Sequence, residues 1–217
     1  MKNIFALVIA ALLLAPCAAL AETEKAPETA SALSGLTAAK SVKYTFDPAH
    51  TQIIFAANHL GFSFSHGRFM KFDGFFTFDP AAPESSEVNV TVETASVDMG
   101  SDKWDEHLKG ADFLNAEKFP QMTFKSTKIE KTGEKTGKLT GDFTLLGVTK
   151  PVTLDVTYNG SGVHPYSNNN IAGFSAAGTI KRSEFGMTGS IPAVGDDVFL
   201  IIQVEGIRQD FDGLNKK

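Results

Sequence analysis

The side chains able to do chemistry in this chain are five histidines, one cysteine, 25 carboxylates and scattered serines. His59 and His66 flank "LGFSFS", with no acidic or cysteine ligand beside them at a zinc-binding spacing. Each reads as a histidine bonded to loop backbone near a strand end. His50 and His107 read the same way, and His164 falls in a polar loop. Asp98, Asp102, Asp105 and Glu106 crowd together without the spacing of a calcium loop, so they read as helix capping and surface charge. Serine, histidine and aspartate are all present, but no G-x-S-x-G elbow presents a nucleophile. Asn89 and Thr91 form a glycosylation pattern in the middle of an alternating run, where it reads as chance. The expectation is no catalytic centre, no metal and no cofactor. Arg68 and Arg182 are better polar candidates, because each sits among phenylalanines and glycines instead of in a charge run. An arginine at the mouth of an apolar cavity would meet a carbonyl, carboxylate or phosphate. The plainer alternative for both is an ion pair.

What must position such groups is an unusually aromatic framework. "GRFMKFDGFFTFD" carries five phenylalanines, and the chain holds 18 phenylalanines against 3 tyrosines and 1 tryptophan. The prevailing period is two, the signature of strands with one face inward. Val42, Tyr44 and Phe46 alternate with Lys43, Thr45 and Asp47. Ile53, Phe55 and Ala57 share one side of "TQIIFAANH", although Ile54 spoils the other. Phe72, Gly74, Phe76 and Phe78 face one way, and Phe69 and Phe75 interrupt the polar side. Val88, Val90 and Val92 form a further inward set, as do Val152, Leu154, Val156 and Tyr158. "KTGEKTG" and "LGVTKP" are reversal sequences between strands, and "YNGSGVHPYSNNN" reads as a longer, mobile loop. The one exception to the period lies at 100–120. There Ser101 is placed to cap a short helix, Trp104, His107 and Leu108 share a side, Gly110 interrupts, and Phe113 and Leu114 form an apolar patch ended by Pro120. That piece suits a lid across an open end, or packing on the outside of the sheet.

The segments predict an all-β fold, an extended antiparallel barrel of about eight strands with one or two short helices. Closure removes the sheet edges, and a barrel of this size is either just filled by side chains or just able to hold one small ligand. The inward set mixes rings (Phe46, Phe55, Phe72, Phe76, Phe143) with Ala57, Gly74 and Gly141. Large beside small fits jigsaw packing, and it fits a tube walled by rings. A lumen of the second kind suits a chain-like apolar molecule. "DDVFLIIQVEG" is apolar on both faces, so its outer face needs cover from the short helix or a second subunit.

The domain plan is a secretory leader at 1–21, with one lysine, an apolar run and a small-x-small end at Ala19 and Ala21. A flexible leader at 22–40, a ligand-binding barrel at 41–210 and a flexible tail at 211–217 follow. Removing the leader takes away Lys2 and Cys17, so the remainder has no disulfide and is more acidic than the full chain's net charge of −5. That balance argues against nucleic acid, and no long apolar segment follows the leader to span a membrane.

Several blocks, read in order, carry a family resemblance: "YTFDPAHTQIIFAANHLGFSFSHGRF", "FDGFFTFD", "HLKGADFLNAEKFPQMTFKST", "LTGDFTLLGVTKPVTLDV", "GFSAAGTIKRSEFGM" and "VGDDVFLIIQVEG". Over about residues 42–208 the chain resembles the YceI family. The resemblance implies an extended, lipocalin-like barrel, secreted to the periplasm, that binds a polyisoprenoid chain or related amphiphilic lipid in a long tunnel, with dimers known. Transport, storage or isoprenoid quinone metabolism is the implied role. The matching positions are His50, Ile53 and Phe55; His59, Leu60 and Gly61; Gly67, Arg68 and Phe69; Asp105, His107 and Leu108; Asp112 and Phe113; residues 144–152; and Arg182, Ser183, Phe185, Gly186 and Met187. Trp104 stands where the family has arginine, and Leu114 where it has phenylalanine, so a polar contact at 104 is replaced by a ring. The expected ligand-binding residues are Phe46, Phe55, Ala57, His59, Arg68, Phe72, Phe76, Phe78, Val90, Trp104, Leu108, Phe113, Phe143, Phe174 and Arg182. An enzyme acting on an isoprenoid lipid, and a filled structural barrel, are the competing readings.

Overall fold

The computed structural model describes residues 41–209, so the leader segments at 1–21 and 22–40 and the tail at 211–217 lie outside the described residues. Eleven antiparallel strands follow in order: β1 (Val42–Phe46), β2 (Gln52–His59), β3 (Ser63–Phe69), β4 (Phe72–Phe78), β5 (Val88–Glu93), β6 (Val97–Asp98), β7 (Gln121–Lys131), β8 (Thr136–Leu145), β9 (Val148–Val163), β10 (Asn170–Lys181) and β11 (Val194–Arg208). Helix α1 (Asp102–Lys109) sits between β6 and β7, and three short 3-10 turns complete the described elements.

The pairing reduces these to eight staves of a closed barrel. β1 pairs with β4 while β2 pairs with β3, so β1–β2 and β3–β4 are two long staves, each broken once. β4 pairs with β5 and β3 with β6, which makes β5–β6 a third broken stave. β7 to β11 follow as unbroken hairpin neighbours, and β11 closes the ring on both β1 and β2. Closure leaves no free ladder edge along the main wall. β7 starts level with Glu93, where it pairs through Gln121. Beyond that level the wall is made by the segment carrying α1, tied down where Thr94 N donates to Pro120 O at 3.0 Å and Thr94 Oγ1 to Phe119 O at 2.6 Å.

The breaks explain where the sequence pattern misleads. "GRFMKFDGFFTFD" is not one strand. It breaks at Met70–Lys71, whose amides donate to Ser96 O and Ser96 Oγ, both at 3.0 Å. The phase slips there, so Phe69 faces inward with Phe72 instead of breaking an outer face. Phe75 does stay outside, beneath the Lys43 ammonium 4.2 Å from its ring centroid. Half of the expected 158–170 loop is strand, because β9 runs on to Val163 and pairs with β10 through Asn170. The reversal at Leu146–Gly147 is as tight as expected, with φ of 52° and 76°, the left-handed pair that matches strand twist in a two-residue hairpin. Ser101 occupies the N-cap position of α1, yet its side chain makes no capping bond. Asp105 Oδ1 instead accepts from Met99 N at 2.7 Å and anchors the entry to the helix.

The inner face stays open for a packing reason. A Cβ built on Gly67, Gly141 or Gly206 would run into the ring of Phe55, Phe124 or Phe76. Phe55 and Phe124 therefore lie along the wall over the glycine of the next strand, while Phe76 passes over β1 to Gly206 of β11 and meets Phe174. Inward residues of β11, among them Val198, Leu200, Ile202 and Val204, are only partly buried although they point at the axis. That is the mark of a hollow interior: their far sides meet space, not other side chains.

Candidate functional site

The hollow is one cavity of about 990 Å³, at the upper end of the range for small-molecule sites. Residues from both ends of the barrel line it. On β11 the lining runs from Val194 to Val204, about 33 Å of strand and about 25 Å along the axis at the usual ~40° tilt. The middle is hydrocarbon: Phe55, Phe72, Val90, Phe124, Phe143, Val156 and Ala176 face it from seven strands. Polar groups gather at the ends. The β7–β8 hairpin brings Glu130, Lys131, Glu134, Lys135 and Lys138 to one mouth, while His59, Ser65, His66, His107 and Ser190 stand at the other.

Fourteen of the fifteen residues expected at the site lie on this lining: Phe46, Phe55, Ala57, His59, Phe72, Phe76, Phe78, Val90, Trp104, Leu108, Phe113, Phe143, Phe174 and Arg182. Arg68 does not. It projects from the outer face of β3, half-exposed, and its Nε and Nη2 both reach Asp98 Oδ2 at 2.9 Å. The Gly100 amide and this guanidinium hold the Asp98 carboxyl below its ordinary range. The register forces the outcome, since Arg68 and Asp98 face each other across the β3–β6 pair, while Gly67 and Phe69 take the inward positions.

Arg182 lines the cavity with its nitrogens already committed. Nε donates to Gly195 O at 2.9 Å, Nη1 to Met187 O at 3.1 Å and Nη2 to Val194 O at 2.9 Å. Only 2% of the residue is exposed. Burial pulls its pKa below the ordinary value, and the nearby Asp196 charge opposes that shift. Its observed work is to brace the β10–β11 connection. Asp196 helps by accepting from Ser183 N at 2.9 Å and Ser183 Oγ at 2.8 Å.

The segment carrying α1 is a lid on the cavity, not a patch on the barrel's flank: Trp104, His107, Leu108, Phe113 and Leu114 all reach the lining. Trp104 stands edge-on to His107 at 5.7 Å, His107 tilts against Phe113 at 4.9 Å, and the Arg182 guanidinium lies 5.8 Å from the Phe113 ring. A column of rings thus runs from a half-exposed indole to the buried arginine. His66 Nδ1 lies 3.1 Å from Phe64 O, a carbonyl of its own strand, so this histidine sits in the middle of β3 and not, as expected, against a loop.

Two features of the structure fall outside the residues expected from the sequence. Phe124 walls the lumen, and the alternation of Met122 and Phe124 in "QMTFKST" was signal enough to find it. The second is a polar clasp at the β1–β2 break. His50 Nδ1 meets Asp47 Oδ2 at 2.8 Å and Glu205 Oε2 at 4.0 Å. Asp47 N donates to Glu205 O at 2.8 Å and Thr51 Oγ1 to the same oxygen at 3.1 Å. The His50 hydrogen bond holds the Asp47 carboxyl below its usual range, and the Asp47 carboxylate holds the His50 ring above its own. Among the described residues this is the one group of three histidine or acidic side chains with ligand atoms within 4.8 Å of one another. Its three members are not on the cavity lining. No local pattern announces it, because Glu205 is brought beside Asp47 only by barrel closure.

Comparison with known proteins agrees with this architecture. The model of the YceI-like domain matches residues 44–206. A UPF0312 protein of Pectobacterium carotovorum is 46% identical over 181 residues, covering 82% of this chain and 93% of that protein. The crystal structure of Campylobacter jejuni YceI superposes with a TM-score of 0.65 at 36% identity, covering 70% of this chain and 90% of the other. That of Burkholderia cenocepacia BcnA superposes with a TM-score of 0.68 at 27% identity, covering 74% and 98%. Matched in sequence across nearly the whole barrel and in fold to solved members, the chain belongs to the YceI-like domain family.

Proposed function

We propose that the barrel reversibly carries one long-chain lipid, a polyisoprenoid or isoprenoid quinone, shielding its tail from water in the periplasm after the leader at 1–21 has been removed. The observation that carries this reading is the hydrocarbon-lined cavity of about 990 Å³ running from the charged β7–β8 hairpin to the lid. Each buried methylene contributes roughly 0.8 kcal/mol, so a five-carbon unit brings about 3–4 kcal/mol before ordering costs. Affinity then scales with tail length and needs few polar contacts. The carrier reading is favoured over an enzyme because the one close histidine–carboxylate group among the described residues lies off the lining. Ligand contact is assigned to the fourteen lining residues named above, with Arg68 left out.

A second copy of the chain is part of the proposal. The outer face of β11 leaves Phe199 and Ile201 each 40% exposed, and Phe64 covers Phe199 only edge-on at 5.5 Å. Native mass spectrometry of protein taken from its own compartment, followed by organic extraction, tests both points. The expected spectrum shows a dimer and a bound species that extraction identifies as an isoprenoid lipid. Protein that is empty, and that a panel of isoprenoid lipids fails to fill, would remove the carrier reading. A purely monomeric spectrum would remove the dimer.

A further inference from the structure

The two mouths differ on their outer surfaces as well as inside. At the lid end, two chain reversals and helix α1 meet around the opening. The β2–β3 turn is left-handed at Leu60 and Gly61, with φ of 54° and 76°. Gly61 N donates to Asn58 Oδ1 at 2.8 Å and Phe62 N to His59 O at 3.0 Å, which fixes the turn. So held, it presents Leu60 at 53% exposure and Phe62 at 88%. Leu60 N donates to Ala193 O at 2.8 Å, tying this turn to the β10–β11 connection, where Ile191 is 38% exposed. On α1, Trp104 is 51% exposed. Leu60, Trp104 and Ala193 also belong to the cavity lining, beside His59, His107 and Ser190 of the same mouth, so apolar side chains connect the rim to the lumen. The opposite mouth is ringed by charge, and its exposed Val163 and Tyr166 stand off the lining.

Four large apolar side chains kept in water around a single opening call for a partner. We propose that this rim docks on a phospholipid bilayer and that the lid-end mouth is the port through which cargo passes. The proposal rests on the carrier reading, because a tail that moves between bilayer and lumen without crossing water needs an opening that touches the membrane. A bilayer fits better than a protein partner. The side chains stand on three separate tips instead of forming one shaped face, and an indole with apolar neighbours suits the headgroup boundary. Among the described residues no helix is long and apolar enough to cross a membrane, so contact at this rim would be peripheral.

The chain contains a single tryptophan, so its fluorescence reports on the rim alone. Vesicles of phosphatidylethanolamine and phosphatidylglycerol in equal parts should shift Trp104 emission to the blue and carry the protein through flotation. A Phe62→Ser, Leu60→Ser double variant removes two exposed side chains and should keep its melting temperature. It should float at least about tenfold more weakly, the equivalent of 1.4 kcal/mol. No blue shift, equal flotation of the variant, or binding abolished by high salt, which would assign adhesion to surface charge, would each overturn the proposal. The extraction experiment reads the carrier function separately: vesicle binding by a protein that never holds lipid would sink the carrier and leave the docking surface standing.

Discussion

At the hairpin end of the barrel, five rings from four strands hold one another. Tyr44 stacks on Phe76 at 4.9 Å, Phe174 meets the edges of Phe76 and Phe78 at 5.4 and 5.0 Å, and Tyr158 tilts against Phe78 and Phe174 at 5.1 and 5.3 Å. At the lid end a single column of Trp104, His107 and Phe113 leans on Arg182. The first cluster stands on paired strands, so each ring has several neighbours and a backbone fixed by ladder bonds. The second stands on a helix and two loops, held by a few side-chain bonds to main-chain carbonyls. The contrast teaches that one barrel can be held by rings on ladder-bonded strands at one mouth and by side-chain braces at the other without any change of fold. Local stability follows the density of buried contacts and ladder bonds around each element.

The largest blow to that contrast should come from Phe76→Ala. The residue is 5% exposed and touches Tyr44, Phe46 and Phe174. Removing it should cost about 3–5 kcal/mol of global stability in denaturant titration. A loss well below that would show that the ring cluster is not what holds the hairpin end. Arg182→Met comes next, at roughly 2–4 kcal/mol, because one buried and two part-buried carbonyls lose a charged donor. Its signature should be local. Hydrogen exchange should accelerate first in the 182–195 connection and in α1, before the strands. Uniform acceleration over the whole barrel would erase the difference between the two ends.

The smallest effect is expected at the Asp47–His50 clasp, which is exposed on the histidine side. His50 has a raised pKa, so its contribution is full below its ordinary value of 6.5 and lost as pH rises through the raised one. Asp47 has a lowered pKa, so its contribution is full above 3.8 and lost as pH falls through the lowered one. The pair therefore helps most between 3.8 and 6.5. The melting-temperature gap between the native chain and His50→Gln should be wider at about pH 5 than at about pH 8. A gap that does not narrow on the alkaline side would mean the ion pair contributes nothing measurable.

The strands were legible because a period of two needs only local residues. Val88, Val90 and Val92, or Val152, Leu154 and Val156, declare an inner face whatever the rest of the chain does. Turn chemistry at Leu146–Gly147 was legible for the same reason. Arg68 and Phe69 were not, because their faces depend on the slip at Met70–Lys71, and that slip is held by Ser96 from another stave. The bracing role of Arg182 was not legible either, although Phe185 and Gly186 nearby drew attention to it. The carbonyls that occupy it come from residues 187, 194 and 195, which approach only when the connection folds back.

From the residues alone came the strand alternation, the antiparallel hairpins, the expected barrel and the aromatic character of its inner wall. Whether those rings meet across the axis or lie back and leave a void was decided by the tertiary structure. The width of a barrel is set by the number, tilt and stagger of its staves together, and a ring lies flat only where a neighbouring strand offers a glycine at the right register, as Gly67 and Gly141 do. Neither quantity is written in any one strand.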